Sequence, residues 1–168
     1  MIQAELDFIK AIAAKHYTGG IALDVGSSGL MFRNRPKFPY SLAELFDEYV
    51  TFDRKAEAGV EIVGDAELLS LLVGPRTISF VICTSLLEHV KRPWMVAYEC
   101  ARVLKPGGIG IFSAPWKYMD HPDPIDCWRI SPDGMRGLVE GWFDELVCKK
   151  VAGENITVTL YAGRRNKK

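Results

Sequence analysis

Residues 78–113 read ISFVICTSLLEHVKRPWMVAYECARVLKPGGIGIFS. Two continuous apolar runs, Ile78 to Cys83 and Ile109 to Ser113, bracket a stretch with a different period. Short apolar runs of this kind read as strands buried on both faces. Between them Pro93 opens a helix, because its fixed φ suits the first turn and its missing N–H is not needed there. Trp94, Ala97, Ala101 and Leu104 recur at helical spacing and mark the expected buried face. Lys105-Pro106-Gly107-Gly108 then stops the helix. Strand, helix and strand in this order argue for parallel strands with the helix packed on the sheet.

The same alternation extends in both directions. Ile2, Leu6, Ile9 and Ala13 form one helical face over residues 1–17, and Gly19-Gly20 ends it. Ile21 to Val25, Tyr49 to Phe52 and Val60 to Val63 read as three further strands, with a short helix expected over Leu42 to Phe46. Residues 33–41 carry Pro36 and Pro39 and read as irregular. Ser131-Pro132 is an N-cap and first-turn pair, and Met135, Leu138, Val139 and Trp142 follow on one side. Phe143 to Val151 and Ile156 to Ala162 flank Gly153-Glu154-Asn155, a hairpin signature. The expected fold is α/β: one domain over residues 1–168, with a mainly parallel seven-stranded, Rossmann-like sheet. Helices cover both faces, and a C-terminal antiparallel hairpin closes the sheet.

Composition bounds the function. Of the 168 residues, 48% are hydrophobic and 25% charged, an ordinary globular mix. The formal net charge of zero argues against a nucleic-acid partner. The basic tail from Arg164 to Lys168 reads as a solvated terminus. The four cysteines, Cys83, Cys100, Cys127 and Cys148, form no CxxC pair, so no metal centre is expected. No run approaches the ~20 apolar residues of a membrane span, and no signal peptide is visible. A reduced, cytoplasmic setting is the expectation.

Open α/β sheets bind ligands beyond the carboxyl ends of their strands. Three early strands end on, or just before, Asp24, Asp53 and Asp65. A dinucleotide fingerprint beginning at Gly26 would need glycines where Ser28 and Met31 stand. An acid ahead of the loop also repels a pyrophosphate, so a cationic or zwitterionic ligand suits Asp24 better.

In order along the chain, LDVGSSG (residues 23–29), YVTFD (49–53), EIVGDAELL (61–69), the strand–LEHV–helix–LKPGG segment and HPDPIDCWRISPDGMRGLVE (121–140) resemble the motifs of class I S-adenosylmethionine-dependent methyltransferases. The likeness is to a branch that acts on small molecules, and it covers residues 20 to about 142. It implies S-adenosylmethionine as cofactor. Asp24, Gly26, Ser27 and Ser28 would lie at its methionine part, and Asp53 at the ribose hydroxyls. Asp65 and Ala66 would flank the adenine, with Thr84 and Ser85 near cofactor and acceptor. Ser28 and Leu30 depart from the glycines of the family pattern.

The loop after the fifth strand holds Trp116, Tyr118, His121, Asp126, Trp128 and Arg129, an aromatic-rich set suited to a pocket lid. His121 and Asp126 are the candidate catalytic residues, because a hydroxyl acceptor needs a base; His89 reads as structural. The expected activity is methyl transfer to a small-molecule or glycan-type acceptor. That acceptor would be gripped by the loops at 30–41 and 114–130, or by a second subunit of a homo-oligomer. Two other readings stand beside it: a methyltransferase-like module that binds without catalysing, and a nucleotide-binding oxidoreductase.

Overall fold

The computed structural model describes residues 2–27, 42–122 and 125–167. Seven strands form one sheet: β1 (Ile21–Val25), β2 (Glu48–Asp53), β3 (Ile62–Val63), β4 (Ile78–Thr84), β5 (Leu104–Lys117), β6 (Phe143–Ala152) and β7 (Thr157–Arg165). Their spatial order is β3-β2-β1-β4-β5-β7-β6. The first five run parallel, while β7 lies antiparallel to both β5 and β6. The expected parallel sheet and closing hairpin are therefore both present, and the order reverses between β1 and β4, where a ligand crevice belongs.

Among the described residues four α-helices complete the frame: α1 (Gln3–His16), α2 (Leu69–Val73), α3 (Pro93–Val103) and α4 (Pro132–Val139). They lie on both sides of the sheet, and the period-2 alternation of the strands feeds both. Leu23, Val25, Val81 and Cys83 face a core shared with α3 and α4. Ala22, Phe80 and Ile82 face the other core, with Leu6, Ile9 and Ala13 of α1. Among the described residues no helix is long and apolar enough to cross a membrane.

Local chemistry explains the element ends. Ser131 caps α4 by accepting from Gly134 N at 3.0 Å, with Pro132 in the first turn. At the start of α1, Glu5 reaches back to Ile2 N at 2.5 Å and also accepts from the Ser113 hydroxyl, which ties the helix to β5. Gly153 N donates to Ile156 O at 2.6 Å and closes the hairpin.

Four expectations need correction. Trp94 is exposed on α3; the buried face runs through Val96, Ala97, Cys100 and Ala101, and Trp94 instead meets Trp128 edge-on at 6.1 Å. The Lys105–Gly108 segment belongs to β5, because Leu104 already pairs with Ile78 across a register shift. Trp116 also lies in β5 and not in the loop beyond it. Arg164 and Arg165 are strand residues: Arg165 is buried in β7 and donates to Ala101 O at 2.9 Å. The expectations for residues 33–41, Ser28 and Leu30 lie outside the described residues, as does all of 28–41.

Candidate functional site

A cavity of about 1010 Å³ opens at the carboxyl ends of β1, β2 and β4. That is the upper end of the size range of small-molecule and cofactor sites. Gly26, Asp53, Asp65, Ala66, Thr84 and Ser85 line one part of it; Glu88, His89, Tyr118, His121 and Ile125 line another.

The chain reaches the first part by tight turns. Gly26 has φ +83, and a Cβ placed there would meet the Leu86 side chain at 3.1 Å. Gly26 N and Ser27 N both donate to Phe52 O, at 2.8 and 3.1 Å, which draws the end of β1 towards the end of β2. Ser27 is buried, and its hydroxyl has no hydrogen-bond partner among the described residues. Asp53 closes β2, where its carboxylate accepts from Lys55 N at 2.9 Å. Asp65 caps the 3-10 turn Ala66–Leu68 through Glu67 N at 2.9 Å. The turn-former role and a place on the cavity wall thus coexist at Asp65. Thr84 ends β4, and Ser85 follows with φ +52, a conformation that non-glycine residues adopt at about 1–3 kcal/mol.

Asp24 stands apart from the cavity wall. Its side chain is buried and accepts from Tyr49 Oη at 2.6 Å. Burial raises its pKa to about 6; the Tyr49 bond opposes that rise, and the nearby Asp53 charge adds to it. Of the three strand-end acids, Asp53 and Asp65 meet in the cavity, and Asp24 sits behind them.

The second part is built by a loop docked on the turn Leu87–His89. Cys127 N donates to Glu88 O at 2.7 Å, and Trp128 Nε1 to Val90 O at 2.9 Å. Asp126 organises the loop. Both its oxygens accept from Arg129, at 2.6 and 2.7 Å, and Oδ2 also accepts from His121 N at 2.8 Å. The Arg129 bonds hold the Asp126 carboxyl well below the usual carboxylate range. His121 Nδ1 lies 3.1 Å from Asp126 Oδ2 and 3.2 Å from Met119 O. Both neighbours only accept, so Nδ1 donates to them. His121 and Asp126, named separately from the sequence, thus lie side by side, and Tyr118 packs edge-on against the His121 ring at 4.8 Å.

Sequence reading passed over Glu88 and gave His89 a structural role only. Glu88 is 1% exposed, and its Oε2 has no hydrogen-bond partner among the described residues. Burial pushes its carboxyl up to about 8. The one available signal was adjacency, Glu88-His89 at a strand end, but the His121 beside them is 32 positions further along the chain.

Comparison with known proteins places this geometry in context. A family model for the methyltransferase domain matches residues 23–112. The ubiquinone biosynthesis O-methyltransferase of Burkholderia cenocepacia is 32% identical over 118 residues, which are 60% of this chain and 47% of that protein. The chain thus spans about half the length of that curated relative. A methyltransferase-like crystal structure from Bacillus halodurans superposes with a TM-score of 0.69 at 16% identity, covering 98% of this chain and 100% of the other. The N-methyltransferase NodS of Bradyrhizobium japonicum, solved with S-adenosyl-L-homocysteine, gives 0.66 at 10% identity over 97% and 87% of the two chains. At these identities the structural likeness concerns the fold.

Proposed function

The chain belongs to the methyltransferase domain family of class I S-adenosylmethionine-dependent methyltransferases, and from that premise we propose that it transfers a methyl group to a hydroxyl of a small molecule. The observation that carries this reading is the shared cavity: Asp53 and Asp65 line one part, and His121 lines another.

The cleft suits an adenosine-bearing cation. Gly26 leaves room for close backbone approach, and the buried Ser27 hydroxyl lacks a partner that a ligand could supply. Asp53 is the group for the ribose hydroxyls. Asp65 uses Oδ1 on its own turn and leaves Oδ2 for an exocyclic amine, with Ala66 beside the adenine. Thr84 and Ser85 sit between the cofactor and acceptor ends. Ser28 is a methionine-end contact on the family pattern alone. Asp24 acts from behind the wall: its carboxylate adds negative charge near the sulfonium end, and Tyr49 holds its orientation.

When bound, S-adenosylmethionine supplies an electrophilic methyl on sulfur. The protein aligns the acceptor with it, and good alignment is worth about 7–11 kcal/mol of barrier. His121 Nε2 is placed to receive a proton from an acceptor hydroxyl, and Asp126 positions the ring. The choice of a small hydroxylated acceptor over a glycan draws support from the O-methyltransferase named above.

The test is transfer of labelled methyl from S-adenosylmethionine to pooled small phenols, alcohols, sugars and amines. Label should enter the hydroxyl pools. Asp53→Ala should raise KM for the cofactor, while His121→Ala should lower kcat. Cofactor binding with no labelled product from any pool would remove the enzyme reading and leave a binding module.

A further inference from the structure

Glu88, His89 and His121 come from two separate segments, yet their donor atoms all lie within 4.8 Å of one another. We propose that Glu88, His89 Nε2 and His121 Nε2 bind a divalent transition-metal cation of the zinc class at the acceptor end of the cavity.

The convergence of the ligand atoms and the bonds on the far side of each ring carry the argument. His89 Nδ1 lies 2.6 Å from Ile125 O, and His121 Nδ1 faces Asp126 and Met119 O. These partners only accept, so each Nδ1 is the donor, which leaves Nε2 as the ring nitrogen available to a metal. Both Nε2 atoms lie near one carboxyl group: Glu88 Oε1 is 3.9 Å from His89 Nε2 and 4.0 Å from His121 Nε2. Those separations are too long for hydrogen bonds. Three candidate ligand atoms thus converge on one small volume. Glu88 is buried and its Oε2 has no hydrogen-bond partner among the described residues, so a cation meeting it would offset the cost of burying its charged form.

The outer contacts match those of metal-binding histidines, which usually donate the other ring N–H to a carbonyl or a carboxylate. Here Ile125 O serves His89 and Asp126 serves His121. Zinc bonds of about 2.0–2.2 Å hold their ligands roughly 3.3 Å apart, so separations that reach 4.8 Å need to close by up to about 1.5 Å. Two imidazoles and one carboxylate, with an open position towards the cavity, form a donor set used by catalytic zinc.

The role of the cation rests on the proposed methyl transfer. At the open position it binds the acceptor oxygen and lowers the pKa of its hydroxyl. The proton leaves to water. The oxygen then bonds to the methyl carbon as the carbon–sulfur bond breaks, and the bonding pair stays on sulfur. His121 serves as a ligand in this form, with its lone pair on the metal.

The experiment uses tag-free full chain stripped by chelator. It is titrated with Zn²⁺ by calorimetry and with Co²⁺ by visible absorption, each with and without S-adenosylhomocysteine. One cation per chain is expected. His89→Gln and His121→Gln should each lose about 100-fold or more in Zn²⁺ affinity, and Asp126→Asn about 10–100-fold. Circular dichroism checks that each variant folds, and S-adenosylhomocysteine affinity should stay within about twofold in His121→Gln. Absence of saturable one-to-one binding, or equal Zn²⁺ affinity in folded histidine variants, overturns the site. Zn²⁺ binding without any S-adenosylhomocysteine binding would instead strike at the methyltransferase reading and leave the site standing.

Discussion

Tyr49 Oη donates to Asp24 Oδ2 at 2.6 Å, inside the wall between β1 and β2. This bond partly offsets the burial of a carboxylate that the family pattern places at the cofactor. Burial still dominates, since the Asp24 pKa rises from 3.8 to about 6. A folded-state pKa above the unfolded one means stability that is fully present below pH 3.8 and lost as pH rises through 6. The rise corresponds to about 3 kcal/mol. Asp24→Asn should therefore gain stability over the wild type by up to about 3 kcal/mol between pH 3.8 and pH 7. Urea unfolding across that range measures it, and parallel curves for the two proteins would refute it.

Gly26→Ala should cost about 1–3 kcal/mol in stability, because a Cβ is strained at φ +83 and also crowds Leu86. The same change should weaken S-adenosylhomocysteine binding. A variant as stable and as tight-binding as the wild type would show that this turn tolerates a side chain.

Glu99, buried on α3, accepts from Ser70 N at 2.7 Å and from Arg102 Nη1 at 2.9 Å. It ties α3 to α2, next to the turn that carries Asp65 and Ala66. Glu99→Ala leaves a buried amide without its partner and should cost about 2–3 kcal/mol. Chemical denaturation is the check, and a loss below about 0.5 kcal/mol would mean that the amide finds another acceptor.

Asp126→Asn should lower kcat with little change in cofactor affinity, because Asp126 touches His121 and Arg129 but does not line the cavity. Outer contacts of this kind are worth about 10–100-fold. An unchanged kcat would reduce the Asp126–His121 pair to a loop staple.

The sheet was legible because its signal is local. Each buried strand is a short apolar run, and alternation with helices predicts parallel pairing. Trp94 misled because helical spacing marks a face without saying which residues on it are covered; its neighbour Trp128 comes from a distant loop. The helix α2 was missed because Leu69-Ser70-Leu71-Leu72-Val73 is apolar nearly throughout and shows no period. The strand ends pointed to Asp53 and Asp65, and the loop to His121, all of which line the cavity; Asp126, from the same loop, lies against His121 and does not line it. Glu88 and His89 could not be placed this way, because their significance depends on a loop that returns to the turn through Cys127 N and Glu88 O.

The central claim is that the carboxyl-end cleft binds an S-adenosyl cofactor through Asp53. Isothermal titration calorimetry with S-adenosylhomocysteine, on wild type and Asp53→Ala, tests it most directly. One-to-one binding by the wild type is expected, weakened about 10-fold or more in the variant by loss of charged hydrogen bonds worth about 1.5–3 kcal/mol. No binding heat from the wild type, or equal affinity in the two proteins, would contradict it.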